Sequence, residues 1–188
     1  MPQSLSRCPT LIPVADGSEE MEVVIVADVL RRAGWPVTLA GIAGAGPIRA
    51  ARGTRLVPDA AWSAVDPESF DLLVIPGGWE GVLALSRDAR VLAAARAFLA
   101  GGRWVAAICA GPLVLQAAGL LAGRRVTCHP GVADKLTQTD RLADRVVIDG
   151  RLITSQGPGT ALEFALALVG AAAGRDAAEV LARNLVSG

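Results

Sequence analysis

Three side chains in this sequence could carry chemistry, and each follows an apolar run. Cys109 stands inside "VAAICAGPLVL", Val105 to Leu115, at the point where the run is broken by a Gly-Pro pair. His129 is the only histidine and lies in "VTCHPG". Glu22 closes the acidic stretch "DGSEEME", Asp16 to Glu22, and enters an otherwise apolar segment. A thiol between a strand and a helix N-terminus meets free N–H groups and a favourable dipole, which can lower its pKa and make it a nucleophile. A cysteine and a histidine at strand ends can pair for nucleophilic catalysis. A partly buried carboxyl is raised by desolvation and can exchange a proton near neutral pH. "PGG", Pro76 to Gly78, adds glycines whose N–H groups can approach a ligand closely. With the N–H after the cysteine they could form an oxyanion hole.

Each residue also has a plainer reading. A free cysteine packs as a small hydrophobe. A lone histidine is often just a satisfied polar residue, and Glu22 could be a surface glutamate. Ser18 can cap a helix with Glu19 and Glu20 in its first turn. Cys128 beside His129 invites a zinc site with Cys109, but there is no C-x-x-C spacing and too few ligands for a tetrahedral site. "SQGPGT", Ser155 to Thr160, lacks the phosphate-loop pattern and reads as a tight turn and helix start.

The elements that must position these residues alternate between strand and helix. Strands are expected at Thr10–Ala15, Val37–Ala43, Asp71–Gly78, Arg103–Ile108, Arg125–Thr127, Arg145–Ile148 and Leu152–Ser155. Short strands should flank Arg52-Gly53. Helices are expected at Glu20–Ala33, Asp88–Ala100, Pro112–Ala118, from about Thr160, and at Arg175–Val186. The alternation means an α/β fold, its mostly parallel sheet covered on both faces. The first helix reads as apolar nearly all round, with Met21, Val23, Val24, Ile25, Val26, Ala27, Val29 and Leu30. Such a helix is covered on more than one side. Either its own chain or a partner subunit supplies the second cover, and we expect a homodimer through this helix.

The bulk properties narrow the classes. A chain of 188 residues suits one domain, 1–188, and can bury about 70% of its unfolded surface without metal or disulfide staples. Eighteen basic and eighteen acidic residues cancel, with no basic block, so neither nucleic acid nor an anionic membrane is an expected partner. Three scattered cysteines point to a reducing compartment. Trp104 to Gly123 is twenty residues without a charge, but Gly111 and Pro112 interrupt it, so strand, turn and helix explain it better than a membrane span. "MPQSLSRCPT" lacks the apolar region of a signal peptide, and cytoplasmic location is the expectation.

Taken in order, "GSEEMEVV", "RRAGWPVTLAGIAG", "DLLVIPGG", "AAICAGP", "VTCHPGVADK" and "TSQGPGTALEFALAL" resemble the DJ-1/ThiJ/PfpI superfamily, closest to its DJ-1 and bacterial YajL-like branch. The resemblance runs from Pro9 to the last helix. It implies a flavodoxin-like three-layer sandwich and a homodimer. It makes Cys109 the reactive cysteine on a strained elbow, Glu22 the glutamate that hydrogen-bonds its sulfur, and His129 the nearby histidine. Gly78 and Ala110 match the positions whose N–H groups point at the site, and Asp28, Arg32 and Arg52 match residues near the site or the subunit boundary. The last helix resembles one that partly covers the pocket. The protease-like members carry histidine directly after the cysteine; here Ala110 stands there, so peptidase activity is not expected. Ala50 replaces a second cysteine found in many relatives.

The resemblance implies two function classes. In the first, Cys109, Glu22 and His129 convert a small 2-oxoaldehyde such as methylglyoxal to a hydroxyacid, or act on early glycation adducts. Gly77, Gly78, Ala110 and Arg52 would bind the substrate, with no cofactor, glutathione or metal. In the second, Cys109 is a redox sensor oxidised to sulfinic acid, with a chaperone or binding role following from that oxidation.

Overall fold

The computed structural model describes residues 7–187. Positions 1–6, within the stretch read as lacking a leader, and Gly188, the end of the expected domain, lie outside the described residues. The strands are β1 (Thr10–Val14), β2 (Val37–Gly41), β3 (Ile48–Arg49), β4 (Arg55–Leu56), β5 (Ala60–Ala61), β6 (Leu72–Ile75), β7 (Trp104–Ile108), β8 (Arg125–Val126), β9 (Asp140–Arg141), β10 (Val146–Asp149) and β11 (Leu152–Ser155). The helices are α1 (Glu20–Arg32), α2 (Trp79–Arg87), α3 (Ala89–Ala100), α4 (Pro112–Ala117), α5 (Ala161–Ala173) and α6 (Arg175–Asn184).

Seven strands form the central sheet in the order β10-β11-β7-β6-β1-β2-β5. All neighbours run parallel except β10 against β11. The side-chain period of two splits each inner strand between two cores. Leu72 and Val74 of β6 and Ala106 and Ile108 of β7 face α1, α5 and α6. Leu73, Ile75, Val105 and Ala107 face α2, α3 and α4. Near-continuous apolar strands therefore follow from a sheet buried on both faces. This is the three-layer α/β sandwich expected from the alternation.

From β1 the chain winds outward to β2 and β5, then returns to β6 on the other side of β1. The winding direction reverses between β1 and β6, and ligands bind outside the carboxyl ends of strands at such a switch point. The uncharged run Trp104 to Gly123 resolves into β7, a turn and α4, and among the described residues no helix is long and apolar enough to cross a membrane.

One element was not foreseen: helix α2, whose nine residues follow directly on the glycine turn. Within its own chain helix α1 is covered on one side. Val23, Val26, Ala27, Val29 and Leu30 are buried, while Met21 and Val24 are about half exposed. Asp28 and Arg32 pair on its outer face at 2.6 Å.

Candidate active site

Cys109 follows β7 at once and is one of the few non-glycine residues with a left-handed backbone, at φ 63°. That conformation costs an L-residue roughly 1–2 kcal/mol and persists only where neighbours enforce it. Here they do. The Cys109 N–H donates to the Ser155 carbonyl at the end of β11, 2.9 Å away, and the Cys109 carbonyl accepts the His129 N–H at 2.9 Å. The elbow turns the sulfur out of the sheet toward the cavity while the backbone stays clamped on both sides.

Glu22 lies beneath it. The side chain is 1% exposed, and its Oε2 accepts the Gly77 N–H at 2.6 Å over a separation of 55 residues. Its Oε1 is buried without a well-formed hydrogen-bond partner. Burial pushes Glu22 up to about 7, against the pull of the Gly77 N–H and the Cys109 thiol, and the charge of Glu19 adds to the rise. Gly77 is the residue that lets these groups meet. A Cβ there would lie 2.6 Å from Glu22 Oε2, 2.6 Å from Cys109 Cβ and 2.9 Å from Cys109 Sγ. Gly78 has φ 87°, and a side chain on it would strike the Gly17 carbonyl.

The thiol is not acidified in the manner the sequence led us to expect. Helix α4 has only six residues and begins three positions after Cys109. Burial pushes Cys109 up to about 12, and the Glu22 carboxylate adds to this through its charge and hydrogen bond; the N–H groups of Ala110 and Gly78 pull the other way. The contribution of Glu22 belongs to its ionised form. With a proton on Glu22, that repulsion vanishes and an O–H donor faces the sulfur. Below about 7 the pair holds two protons and above it one, which rests on the sulfur; a thiolate forms as that proton passes to Glu22.

Cys109 and Ala110 open into a cavity of about 750 Å³, walled by Gly78, Trp79, Arg52, His129 and other residues. His129 shares this wall, but its ring makes no hydrogen bond to the sulfur; its Nδ1 accepts the Gly131 N–H at 3.1 Å. A neutral ring so held carries its proton on Nε2. Arg52 also lines the wall. Its loop is tied down by Glu20, whose two carboxylate oxygens accept the Arg52 N–H at 3.1 and 3.0 Å and whose Oε1 accepts the Thr54 N–H at 3.4 Å. Burial opposes the charge on Glu20, but donors from Glu20, Arg52 and Thr54 outweigh it and hold the carboxyl below the usual range.

Gly77, expected to bind the substrate, does not line the cavity, and its N–H is engaged by Glu22. Asp28 and Arg32 pair with each other away from the cavity. Helix α6 packs through Ala177 and Leu181 into the core beside α5 and contributes no residue to the cavity wall, contrary to the cover expected from the last helix. Sequence reasoning missed Trp79 and Arg49, which do line it. It also read Glu20 only as a first-turn acid; nothing in the sequence signals that its partners sit more than thirty residues ahead.

The profile of the DJ-1/PfpI family matches residues 10–171. The chain is 40% identical to Protein dj-1beta of Drosophila melanogaster over 178 residues, covering 94% of this chain and 95% of that protein. It is 45% identical over 161 residues to the glutathione-independent glyoxalase DJR-1.2 of Caenorhabditis elegans, covering 85% and 84%. The crystal structure of Drosophila melanogaster DJ-1beta superposes with a TM-score of 0.93 at 39% identity, covering 97% of this chain and 99% of that one.

Proposed function

This chain belongs to the DJ-1/PfpI family, and from that premise we propose that it is a cysteine-dependent, glutathione-independent glyoxalase. It acts on small 2-oxoaldehydes, with methylglyoxal giving lactate, and the same thiol serves early glycation adducts. The observation that carries the reading is the set of groups around one sulfur: Glu22 beside Cys109, with the Gly78 and Ala110 N–H groups pulling on it. The glyoxalase name of the nematode relative supports it.

Glu22 carboxylate takes the thiol proton as the Cys109 sulfur attacks the aldehyde carbon. The oxygen becomes an alkoxide held by the Gly78 and Ala110 N–H groups, which act where charge develops. Glu22 returns the proton to that oxygen, giving a hemithioacetal. The hydrogen on the former aldehyde carbon is now acidified by the neighbouring ketone. Glu22 removes it, and His129 Nε2–H donates to the ketone oxygen, forming an enediol. Glu22 delivers the proton it took to the adjacent carbon, and the hydroxyl on the sulfur-bearing carbon gives up its proton, which restores the one His129 donated, leaving a lactoyl thioester on Cys109. Water cleaves this to lactate and the free thiol, so the net change is addition of one water. The scheme calls on no metal, glutathione or cofactor. Arg52, in the wall of the same cavity, contacts the substrate in this scheme.

In this reading the chain acts as one domain, in the cytoplasm, and pairs as a homodimer through α1, whose Met21 and Val24 offer apolar surface to a second copy. The test is lactate formation from methylglyoxal without glutathione, with Cys109→Ser and Glu22→Gln alongside. Lactate over many turnovers, absent from the serine protein, is the expected result. Rates equal to the blank would overturn the enzyme and leave peroxide oxidation of Cys109 as the activity to measure.

A further inference from the structure

Resting on that glyoxalase reading, we infer that Trp79 makes the site selective for aryl 2-oxoaldehydes, in which a flat aromatic ring is attached to the ketone carbon. Three observations lead there. Sites of about 300–1,000 Å³ hold drug-sized ligands. A cavity of about 750 Å³ therefore leaves most of its space unfilled around a three-carbon ketoaldehyde. Trp79 is the residue immediately after the alkoxide donor Gly78, it lines this cavity, and it is 45% exposed. An aldehyde bound to Cys109 with its oxygen at the Gly78 N–H thus carries its next substituent within reach of the indole. Val132 and Pro158 extend the apolar wall, and Ala50 and Ala51 elsewhere around the cavity keep the space wide.

The Lys135 ammonium lies 5.9 Å from the indole ring centroid, at the edge of cation–π range. The charged residues of the wall select less. Arg49 and Arg52 stand against Asp16, Glu19 and Glu80, so no field of one sign draws in an anionic substrate.

The test compares phenylglyoxal with methylglyoxal by initial rates, since phenylglyoxal modifies arginine on longer exposure. Ring stacking and added apolar contact are expected to raise kcat/KM for phenylglyoxal at least about tenfold over methylglyoxal. Trp79→Ala should bring the two substrates to within about threefold of each other, and Trp79→Phe should restore the preference. Equal kcat/KM values in the original protein, or a preference that survives Trp79→Ala, would overturn the inference. A binding arm separates it from the glyoxalase reading. Mandelate and lactate are titrated calorimetrically into Cys109→Ser with and without Trp79→Ala. Tighter mandelate binding that needs Trp79 supports aryl selectivity even if neither aldehyde turns over. Methylglyoxal turnover with no aryl preference in either arm overturns aryl selectivity alone.

Discussion

The main-chain N–H of His129 holds the carbonyl of Cys109 at 2.9 Å, while the His129 ring turns to the Gly131 N–H rather than to the sulfur. The two residues are coupled through their backbones. His129→Ala keeps the main-chain bond and removes only the Nε2 donor. We expect it to lower kcat for methylglyoxal by about 10–100-fold, at or below the lower range for a lost proton-transfer group. Cys109→Ser should remove turnover altogether. Equal losses in the two proteins, measured by lactate formation, would mean that the ring acts directly on the thiol.

The shared proton gives the rate a pH signature. The reactive pair carries one proton, and the second is lost from Glu22 at about 7. Below that pH both groups are protonated and kcat/KM falls with each added proton, so it should rise through about 7 and then level off. Glu22→Gln should be slow and should lack this inflection. A profile flat from pH 5 to 8 in the original protein would remove Glu22 from the proton path.

The same shift has a cost in stability. The Glu22 carboxyl ionises near its ordinary value, about 4.3, when unfolded, but at about 7 when folded. Between those values the native state binds the extra proton, so stability falls as pH rises and the full loss is reached above 7. The expected difference is about 3 kcal/mol between pH 4 and pH 8. Urea unfolding of the original protein and of Glu22→Gln at both pH values measures it. The glutamine protein should lose less stability over this span.

Gly77→Ala tests the close approach. Its Cβ would fall within van der Waals distance of Cys109 and Glu22 together, and both are held by backbone bonds. We expect a loss of about 2–4 kcal/mol in unfolding free energy and at least a hundredfold drop in turnover, as for an overpacked core. Near-normal turnover would show that the Glu22–Cys109 contact is not needed.

Much of this was legible in the sequence because the signals are local. A buried parallel strand must be continuously apolar, so β6 and β7 stood out, and the break after Ile108 marked the elbow. Helix α2 was lost because "WEGVLALSR" follows two glycines and reads as the tail of a turn. Adjacent glycines look alike in sequence, yet the N–H of Gly77 serves Glu22 while that of Gly78 serves the sulfur. The direction of the thiol's shift was missed because burial, its first cause, and the Glu22 carboxylate, which arrives from 87 positions earlier, are set by the fold, while the nearby helix is short. Glu20 and the Arg52 loop meet only after the chain has folded back, and no local pattern records such a meeting.

The hydrogen bond from Cys109 to Ser155 ties the elbow to the order of the chain. Glu22, Gly77 and Cys109 all precede β11, whose Ser155 carbonyl accepts the Cys109 N–H, so the clamp on the elbow closes with a strand from late in the chain. A chain ending before Ser155 would contain the whole Cys109–Glu22 pair and lack that one hydrogen bond.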